Sequence, residues 1–445
     1  MTEYPPYPQQ QVSTAPFWPV FTLALAIAVY LGVGITPEPD FLAGAILVGL
    51  TFLSLFIFTR VSAGDPEAGL LFKVLVFAWL FKIGATFIRL HLILNVYGSG
   101  DALAYDQAGQ TIAALLAQGR FPELPEIWGT EFVELFTGFL YLIIGPSLRG
   151  AFFLCAYLAL IGMLLHYKAF VTAFPNGNRR LFMFLVFFYP SVIFWPGSLG
   201  KDSLIAFCLG LTAYGAARLY RDGMRLGTML LLVLGLGGTL MVRPHVAAIA
   251  AVALVAVVLL RPIHAGMLTP FIRLGALALF GVLAALVVQT AGSFIGVEDL
   301  SAEEIAGFAE ETVGQTAQGG SAFTPTGLPT SPQAVLLAVP NVLFRPYPWE
   351  ARSLLMLASA AEGMLLAGLL LWRFRSVLRA ILEARRHGYL AFSVVYAALF
   401  IFFFSVIGNF AILARQRVQV LPFVFVWIAY QTWKARAEMG TSPPQ

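Results

Sequence analysis

Two carboxylates and a tyrosine directly follow a long apolar run at residues 70–96. A short glycine and serine turn ends the run, and Asp101, Tyr105 and Asp106 come next. Helix formers then continue without a breaker for several residues, which predicts a helix with Asp101 and Tyr105 on one face, four residues apart. A carboxylate in this position is a candidate general base. Asp is also a favoured helix N-cap, so a solvated structural role for the same residues stays open.

The composition is that of a membrane protein. Of the 445 residues, 59% are hydrophobic and 11% are charged, whereas a soluble domain carries about 25% charged residues. A water-soluble core cannot hide so much apolar surface, so the sequence predicts an all-α integral membrane protein with about 12 transmembrane helices. Cys155 and Cys208 lie inside apolar runs, which favours packing over a disulfide or a metal site. The net charge of +4 is small, and no nucleic-acid partner is expected.

Twelve apolar runs predict membrane spans. They cover residues 17–37, 41–59, 70–96, 149–173, 180–196, 202–220, 226–242, 245–261, 270–290, 351–373, 389–408 and 416–434. One further run, residues 132–144, is too short for a comfortable crossing. Whether it crosses decides the topology of everything before it.

Basic residues orient these spans, because Lys and Arg accumulate in cytoplasmic loops. Three connections, near residues 168–180, 218–225 and 373–386, are basic and are predicted to be cytoplasmic. If residues 132–144 form a juxtamembrane or re-entrant helix, both termini are cytoplasmic and Asp101 lies outside. If they span, the Asp101 loop moves inside. The first version agrees with every basic cluster and is the one adopted.

This topology leaves two long external segments, residues 97–148 and 291–350. The second is too long for a simple connection, and loops of that length are usually functional or disordered. Its end, Gln333 to Phe344, has the composition of a short interfacial helix. Juxtamembrane helices are therefore predicted in both external loops.

Charged residues on the external side indicate a site, because charges near the membrane interior are costly and are functional candidates by default. Together with Asp101 they come from five external connections on one membrane face. The candidate substrate-binding residues are Tyr105, Lys201, Asp202, Arg243, His245, Arg345, Tyr347, Trp349, Glu350, Arg415 and Arg417. A cationic cluster indicates an anionic ligand, with phosphate the obvious candidate because Arg binds it in a fork.

Each of these residues also has a structural interpretation. Exposed Arg at helix ends snorkels to lipid phosphates, and Lys201 with Asp202 fits a cap pair at a helix start. Tyr347 and Trp349 fit an interfacial aromatic belt at least as well as a sugar-stacking role. Lys82, inside an apolar run, has no explanation from the sequence.

The phrase GDALAYDQAGQTIA, which contains Asp101 and Asp106, resembles the first-loop acidic motif of GT-C superfamily glycosyltransferases. The phrase that begins ELFTGFLYLIIGPSLRG looks like the short helix, Gly-Pro-Ser turn and next span of that superfamily. YPSVIFWPGSLGKDS, FRPYPWEAR and ARQRVQVLP are similar to bacterial members found with exopolysaccharide genes. The resemblance covers roughly residues 70–434.

The resemblance implies a GT-C-like fold and its chemistry. Members take a sugar from a polyprenyl-phosphate or -pyrophosphate carrier at a site that faces away from the cytoplasm. Asp101 would be the catalytic base or a metal-proximal carboxylate, and Asp106 is a second candidate for either role. The implied organisation is a polar tail (1–16), two additional helices (17–69), a catalytic transmembrane domain (70–434) and a cytoplasmic tail (435–445). The Lys-Pro-Pro motif of aminoarabinose transferases and the large C-terminal domain of oligosaccharyltransferases are absent.

The leading hypothesis is a glycosyltransferase of the bacterial inner membrane, acting in cell-envelope or exopolysaccharide synthesis with its site facing the periplasm or exterior. Its partners would be a lipid-linked sugar donor, a glycan or lipid acceptor and membrane lipids. An O-antigen-polymerase-like enzyme and a transporter or flippase of lipid-linked sugars are the alternatives; a transporter should place charges near the bilayer midplane. No cofactor is certain: a divalent cation at Asp101 is left open, and no transition-metal motif occurs among the five His.

Overall fold

A computed structural model describes residues 40–123, 127–260, 307, 311–325, 327–329 and 331–431. Within these ranges the chain is helical and forms no strand; Ala322 and Asn409 make an isolated antiparallel bridge. The spans predicted at 17–37 and 270–290, both predicted tails and residues 291–306 of the second loop lie outside the described residues.

Eight helices are described between residues 41 and 222. They are α1 (Phe41–Ser62), α2 (Ala68–His91, continued by a π-helical turn at Leu92–Tyr97), α3 (Asp101–Ala117), α4 (Thr130–Ile144), α5 (Leu148–Ala173), α6 (Arg179–Phe188), α7 (Pro190–Phe194) and α8 (Lys201–Asp222).

Eight more are described after residue 225. They are α9 (Leu226–Val242), α10 (Pro244–Leu260), α11 (Pro332–Phe344), α12 (Leu354–Trp372), α13 (Phe374–Glu383), α14 (Gly388–Phe404), α15 (Phe410–Arg417) and α16 (Leu421–Ala429), with a 3-10 turn at Pro348–Glu350.

Five of the described helices, α1, α2 with its π-helical turn, α5, α8 and α12, are long and apolar enough to cross a membrane. The number rises to seven if two bent pairs, α13 with α14 and α15 with α16, each count as one span. Helices α9, α10 and α11 are apolar but shorter. These helices support the prediction of an all-α membrane protein, and the count of about 12 spans stays a prediction.

Two predicted spans are interrupted. The run at 180–196 divides at Pro190 into α6 and α7, because proline has no N–H to donate and its ring clashes with the preceding turn. Tyr189, before the proline, is accordingly extended, with φ −66° and ψ 126°. The run at 416–434 is also divided: α15 ends at Arg417, and α16 follows after a bend of 56°.

The described chain forms two compact units. Of the described residues, the first unit comprises 40–163 and 187–207, and the second comprises those within 164–186 and 208–431. Helices α5, α6 and α8 contribute residues to both.

Helices α3 and α4 of the first unit pack against each other as a hairpin. Two glycines allow the helices to approach closely: a Cβ on Gly109 would lie 2.5 Å from Thr137 Cγ2, and one on Gly138 would lie 2.3 Å from Ile112 Cγ2. Helix α4 has 15 residues and is about 22 Å long, short of the roughly 30 Å of hydrocarbon in a bilayer. That α4 is a juxtamembrane helix stays a prediction.

Helix α1 packs on the rest of the first unit through polar contacts at its middle and at its start. Trp79 of α2 is fully buried and its Nε1 donates a hydrogen bond of 3.0 Å to Thr51 Oγ1 of α1. Asp40, the N-cap of α1, accepts from Ser147 Oγ at 2.7 Å. The Gly-Pro-Ser turn at 145–147 is thereby tied to the start of α1.

Candidate active site

Asp101 is the first residue of α3 and is exposed. The turn before it favours glycine at two positions. Gly98 has φ 63° and Gly100 has φ 145°, and residues with a side chain rarely adopt these positive φ values. The first N–H groups of a helix have no partners within the helix, and the positive end of its dipole stabilises a carboxylate. The helix predicted after the glycine turn is therefore present, and it begins at the acidic residue.

Tyr105 lies one turn further along α3 and is 2% exposed. Its ring packs against the turn that precedes α8: a Cβ on Gly200 would lie 3.4 Å from Tyr105 Cε2. Gly200 has φ 144°, so its backbone conformation favours glycine. This contact brings the start of α3, with Asp101, beside the start of α8, with Lys201. Tyr105 itself is a packing residue here, without the exposure that stacking on a sugar needs.

Lys201 links the same turn to the start of α4. Its Nζ donates a hydrogen bond of 2.9 Å to Thr130 Oγ1. Glu131 and Glu134 follow on the first turns of α4, and the pKa of Glu134 is raised above its usual value by burial and by the neighbouring charge of Glu131, against the opposing effect of Lys201. Neither Thr130 nor Glu134 is among the site residues predicted from the sequence. Their position at a helix start directly after the acidic loop was the available signal.

Two basic side chains of α2, Lys82 and Arg89, fix α7 and the turn after it that carries Gly200. Lys82 is 1% exposed, and its Nζ donates to the carbonyls of Val192 at 3.1 Å and Ile193 at 2.9 Å. These carbonyls belong to α7, whose last turn leaves acceptors open. Lys82 therefore caps α7, which explains the charge that the sequence left unexplained.

Arg89, two turns after Lys82, holds the residues that follow α7. Its Nη2 donates to Ser198 Oγ at 3.0 Å. Its guanidinium lies 5.3 Å from the ring centre of Phe194 and 5.2 Å from that of Trp195, within the range of a cation–π interaction. The position of Lys201 thus depends on a turn anchored by α2.

Asp106 has a different environment from Asp101. Its carboxylate accepts hydrogen bonds from the Tyr141 hydroxyl of α4 and, at 2.9 Å, from Gln110 Nε2. Burial and the hydrogen bond to Asp106 raise the pKa of Tyr141, so the Tyr141 hydroxyl stays protonated and donates. These contacts favour Asp106 as a residue that joins the α3–α4 hairpin. Asp202, in the first turn of α8, is buried.

In the second unit, Arg345 is held by a carboxylate and two rings. Its Nε donates to Glu350 Oε1 at 3.0 Å and Oε2 at 3.1 Å, and its Nη2 also bonds this carboxylate. The guanidinium lies 4.2 Å from the ring centre of Phe323, which stacks on Phe410. Burial would raise the pKa of Glu350, but hydrogen bonds from Arg345 and the Tyr347 N–H, with the charge of Arg345, outweigh it and lower that pKa. Arg345 is thus largely engaged within the fold.

A buried arginine, Arg417, caps the end of α11. It is 1% exposed, and its Nη1 donates to the carbonyls of Leu343 at 2.7 Å and Arg345 at 3.1 Å. The negative end of the α11 dipole stabilises this charge. Arg243 is 6% exposed and its Nη1 donates to Gln416 Oε1 at 2.6 Å. Both arginines contribute to the packing of the second unit.

The remaining predicted residues of the second unit are more accessible. The rings of Tyr347 and Trp349 stack with centres 5.1 Å apart, and Trp349 is 79% exposed. His245 is exposed, with its ring 6.0 Å from that of Phe404, and Arg415 is half-buried in the last turn of α15. An exposed aromatic pair suits a bilayer interface or a sugar face equally.

Asn409 ties the second long loop, at Gln318 and Ser321, to the turn before α15. Its Oδ1 accepts from Ser321 Oγ at 2.9 Å and caps α15, while its Nδ2 donates to the Gln318 carbonyl at 3.0 Å. Phe323 N–H also donates to the Gly408 carbonyl at 2.9 Å. This part of the loop is therefore docked on the second unit.

The structure thus brings together Asp101, Tyr105 and Lys201 in the first unit. That Arg243, Arg345, Arg415 and Arg417 join them in one site stays a prediction. Within the described ranges no group of three or more His, Cys, Asp or Glu side chains is arranged to hold a metal ion. No protein-family model, curated protein or solved structure matches the chain.

Proposed function

We propose that this protein is a membrane glycosyltransferase that moves a sugar from a polyprenyl-phosphate or -pyrophosphate donor to a glycan or lipid acceptor. The observation that supports it is the exposed Asp101 at the start of α3, next to the anchored turn that presents Lys201. The resemblance of residues 100–113 to the acidic motif of GT-C enzymes points the same way. Within this proposal the site faces the non-cytoplasmic side of a bacterial inner membrane.

In the proposed reaction Asp101 takes the proton from an acceptor hydroxyl, whose oxygen attacks the anomeric carbon of the donor. The bond between that carbon and the phosphate oxygen breaks, and the polyprenyl phosphate leaves. A positioned general base contributes about 10²–10⁴-fold to such a rate. The ammonium of Lys201 is suited to stabilise the negative charge that builds on the leaving phosphate. Thr130, which accepts from Lys201, orients that ammonium.

One observation favours a transporter as the second candidate. Transporters place their sites at broken helices near the middle of the bilayer. The helix break at Pro190 is of this kind, because carbonyls of α7 lie against Lys82, which is near the middle of α2. Lys82 already occupies these carbonyls, whereas Asp101 is exposed at a helix start. The arrangement of the first unit therefore suits chemistry at the membrane surface better than transport.

The test uses the full-length protein in liposomes with polyprenyl-phosphate hexoses and pentoses whose sugars are radiolabelled, and with glycan and lipid acceptors. We expect label to appear in a new glycoside, and Asp101→Asn to lower that transfer about 10²-fold or more while donor binding is retained. Glu123→Gln is the matched control, because Glu123 has an exposed carboxyl group in the same loop.

Asp106→Asn separates the two acidic residues. We expect a smaller loss of transfer and a less stable hairpin, because Tyr141 would lose a charged acceptor. Full transfer by Asp101→Asn would contradict the catalytic assignment. Movement of an intact lipid-linked sugar across the liposome without a new glycosidic bond would establish the transporter instead.

A further inference from the structure

Helix α13 exposes an apolar face that no other described part of the chain covers. Four large apolar side chains spaced as i, i+4, i+7 and i+8 lie on one side of it. They are Phe374, Leu378, Ile381 and Leu382, with exposed fractions of 56%, 46%, 45% and 57%. A face of this kind on a short helix needs an apolar environment that the described chain does not supply.

A basic edge borders this apolar face. Arg375 and Arg379 are both exposed and stand four residues apart, each about 100° round the helix from an exposed apolar residue. Residues 373–387 contain five arginines and a single acid, Glu383. The segment is therefore strongly cationic as well as amphipathic.

The third face of α13 is fixed to the end of α16. Ser376 and Ala380 are buried, and the Ser376 hydroxyl donates to the Tyr430 carbonyl. The Tyr430 hydroxyl donates in turn to Glu383 Oε2 at 2.7 Å, and Arg373 Nε donates to the Ile428 carbonyl at 3.1 Å. These contacts fix the rotation of α13, so the apolar face and the basic edge keep their directions.

The angle of α13 to its neighbour places it along a membrane surface. It follows α12, a candidate span, and makes an angle of 105° with α14. If α14 crosses the bilayer near its normal, α13 lies close to the bilayer plane. Amphipathic helices with basic residues beside an apolar face bind in that position, with the apolar side chains at the acyl boundary. Trp372, 68% exposed at the end of α12, suits the same depth.

We propose that α13 is an in-plane helix that binds anionic phospholipids of the leaflet it contacts. Its apolar face enters the acyl boundary, and Arg375 and Arg379 bond headgroup phosphates. Charge complementarity selects the occupant, because a zwitterionic headgroup offers no net charge to a segment with five arginines and one acid. This inference is independent of the proposed glycosyl transfer.

A fluorescent reporter on the apolar face tests the proposal. Leu378→Cys is labelled with bimane in the full-length protein; the native Cys155 and Cys208 are buried and take little label. The protein is reconstituted in phosphatidylcholine nanodiscs, and the quenching by headgroup spin-labelled phosphatidylglycerol is compared with that by labelled phosphatidylcholine. We expect an apolar emission and a clear preference for phosphatidylglycerol.

The arginines are then removed in the same background. Arg375→Gln with Arg379→Gln should lower the preference for phosphatidylglycerol by about 25-fold, since each of the two arginines near an anionic surface is worth about fivefold. Arg120→Gln with Arg352→Gln removes the same charge from exposed arginines elsewhere and should leave the preference unchanged. Equal quenching by the two lipids before any arginine is removed, or a reporter quenched by aqueous iodide and by neither lipid, would overturn the proposal.

Discussion

The ring of Tyr105 lies against Gly200, 3.4 Å from the point that a Cβ on this glycine would occupy. This distance is an ordinary van der Waals contact, but Gly200 has φ 144°, so the backbone of Gly200→Ala is strained and we expect the substitution to lower stability by about 1–3 kcal/mol. The measurement is the thermal midpoint in detergent. Gly84→Ala, in α2 with open space around its Cβ position, is the control and should be neutral or slightly stabilising. Equal midpoints for the two variants would contradict the backbone conformation of Gly200.

The cap that Lys82 provides to α7 leads to a second prediction. Lys82→Met keeps the length of the side chain but leaves two carbonyls of α7, those of Val192 and Ile193, without their donor. An unsatisfied buried polar group costs about 1–3 kcal/mol, so we expect a lower thermal midpoint. Lys73→Met, on an exposed position of the same helix, should have little effect. If both variants melted together, the contacts of Lys82 would contribute no net stability.

The ion pair of Arg345 and Glu350 predicts a dependence on pH. The pKa of Glu350 is lowered from its usual 4.5 in the folded protein, so the folded state binds a proton less tightly than the unfolded state. The stabilisation is therefore present above pH 4.5 and is lost as the pH falls through the lower folded value. We expect Glu350→Gln to melt below the parent protein at pH 7 and the gap to shrink as the pH falls below 4.5. A gap independent of pH would contradict an ionised pair.

Asn409 holds the described part of the second long loop. Asn409→Ala loses the bonds to Ser321 and Gln318 together with the cap of α15, and a lost cap alone costs about 1 kcal/mol. We expect faster hydrogen exchange in residues 316–325, measured by mass spectrometry. Asn341→Ala is the control. It also removes a side-chain amide, but inside α11, and it should leave exchange in that loop unchanged. Unaltered exchange in Asn409→Ala would mean that other contacts hold the loop.

The contact of Tyr105 with Gly200 also implies that the starts of α3 and α8 share one side of the membrane. Ser99→Cys should react with an impermeant maleimide from the non-cytoplasmic side, and Arg225→Cys, in a predicted cytoplasmic connection, should react only after permeabilisation. Labelling of both Ser99→Cys and Arg225→Cys only after permeabilisation would mean that residues 130–144 span the membrane after all. Both positions are exposed, so accessibility does not limit the labelling.

Several features follow from the sequence because their causes are local. Apolar run length predicts the long helices, and the glycine turn before Asp101 predicts where α3 begins, because positive φ and helix propensity are properties of neighbouring residues. The short run at 132–144 likewise predicts the helix α4; that this helix does not cross the membrane stays a prediction. The break at Pro190 also has a local cause, but the apolar runs alone do not predict it.

The roles of the charged side chains were decided by tertiary structure. Lys82 bonds carbonyls 110 and 111 residues away, and Asp106 bonds Tyr141, 35 residues away. Neither partner is visible in the sequence, because a buried charge takes whatever acceptor packing brings within about 3 Å. Composition therefore determines that a charge inside an apolar protein needs a partner, and only the packing of the helices determines whether that partner belongs to the fold or is left for a ligand.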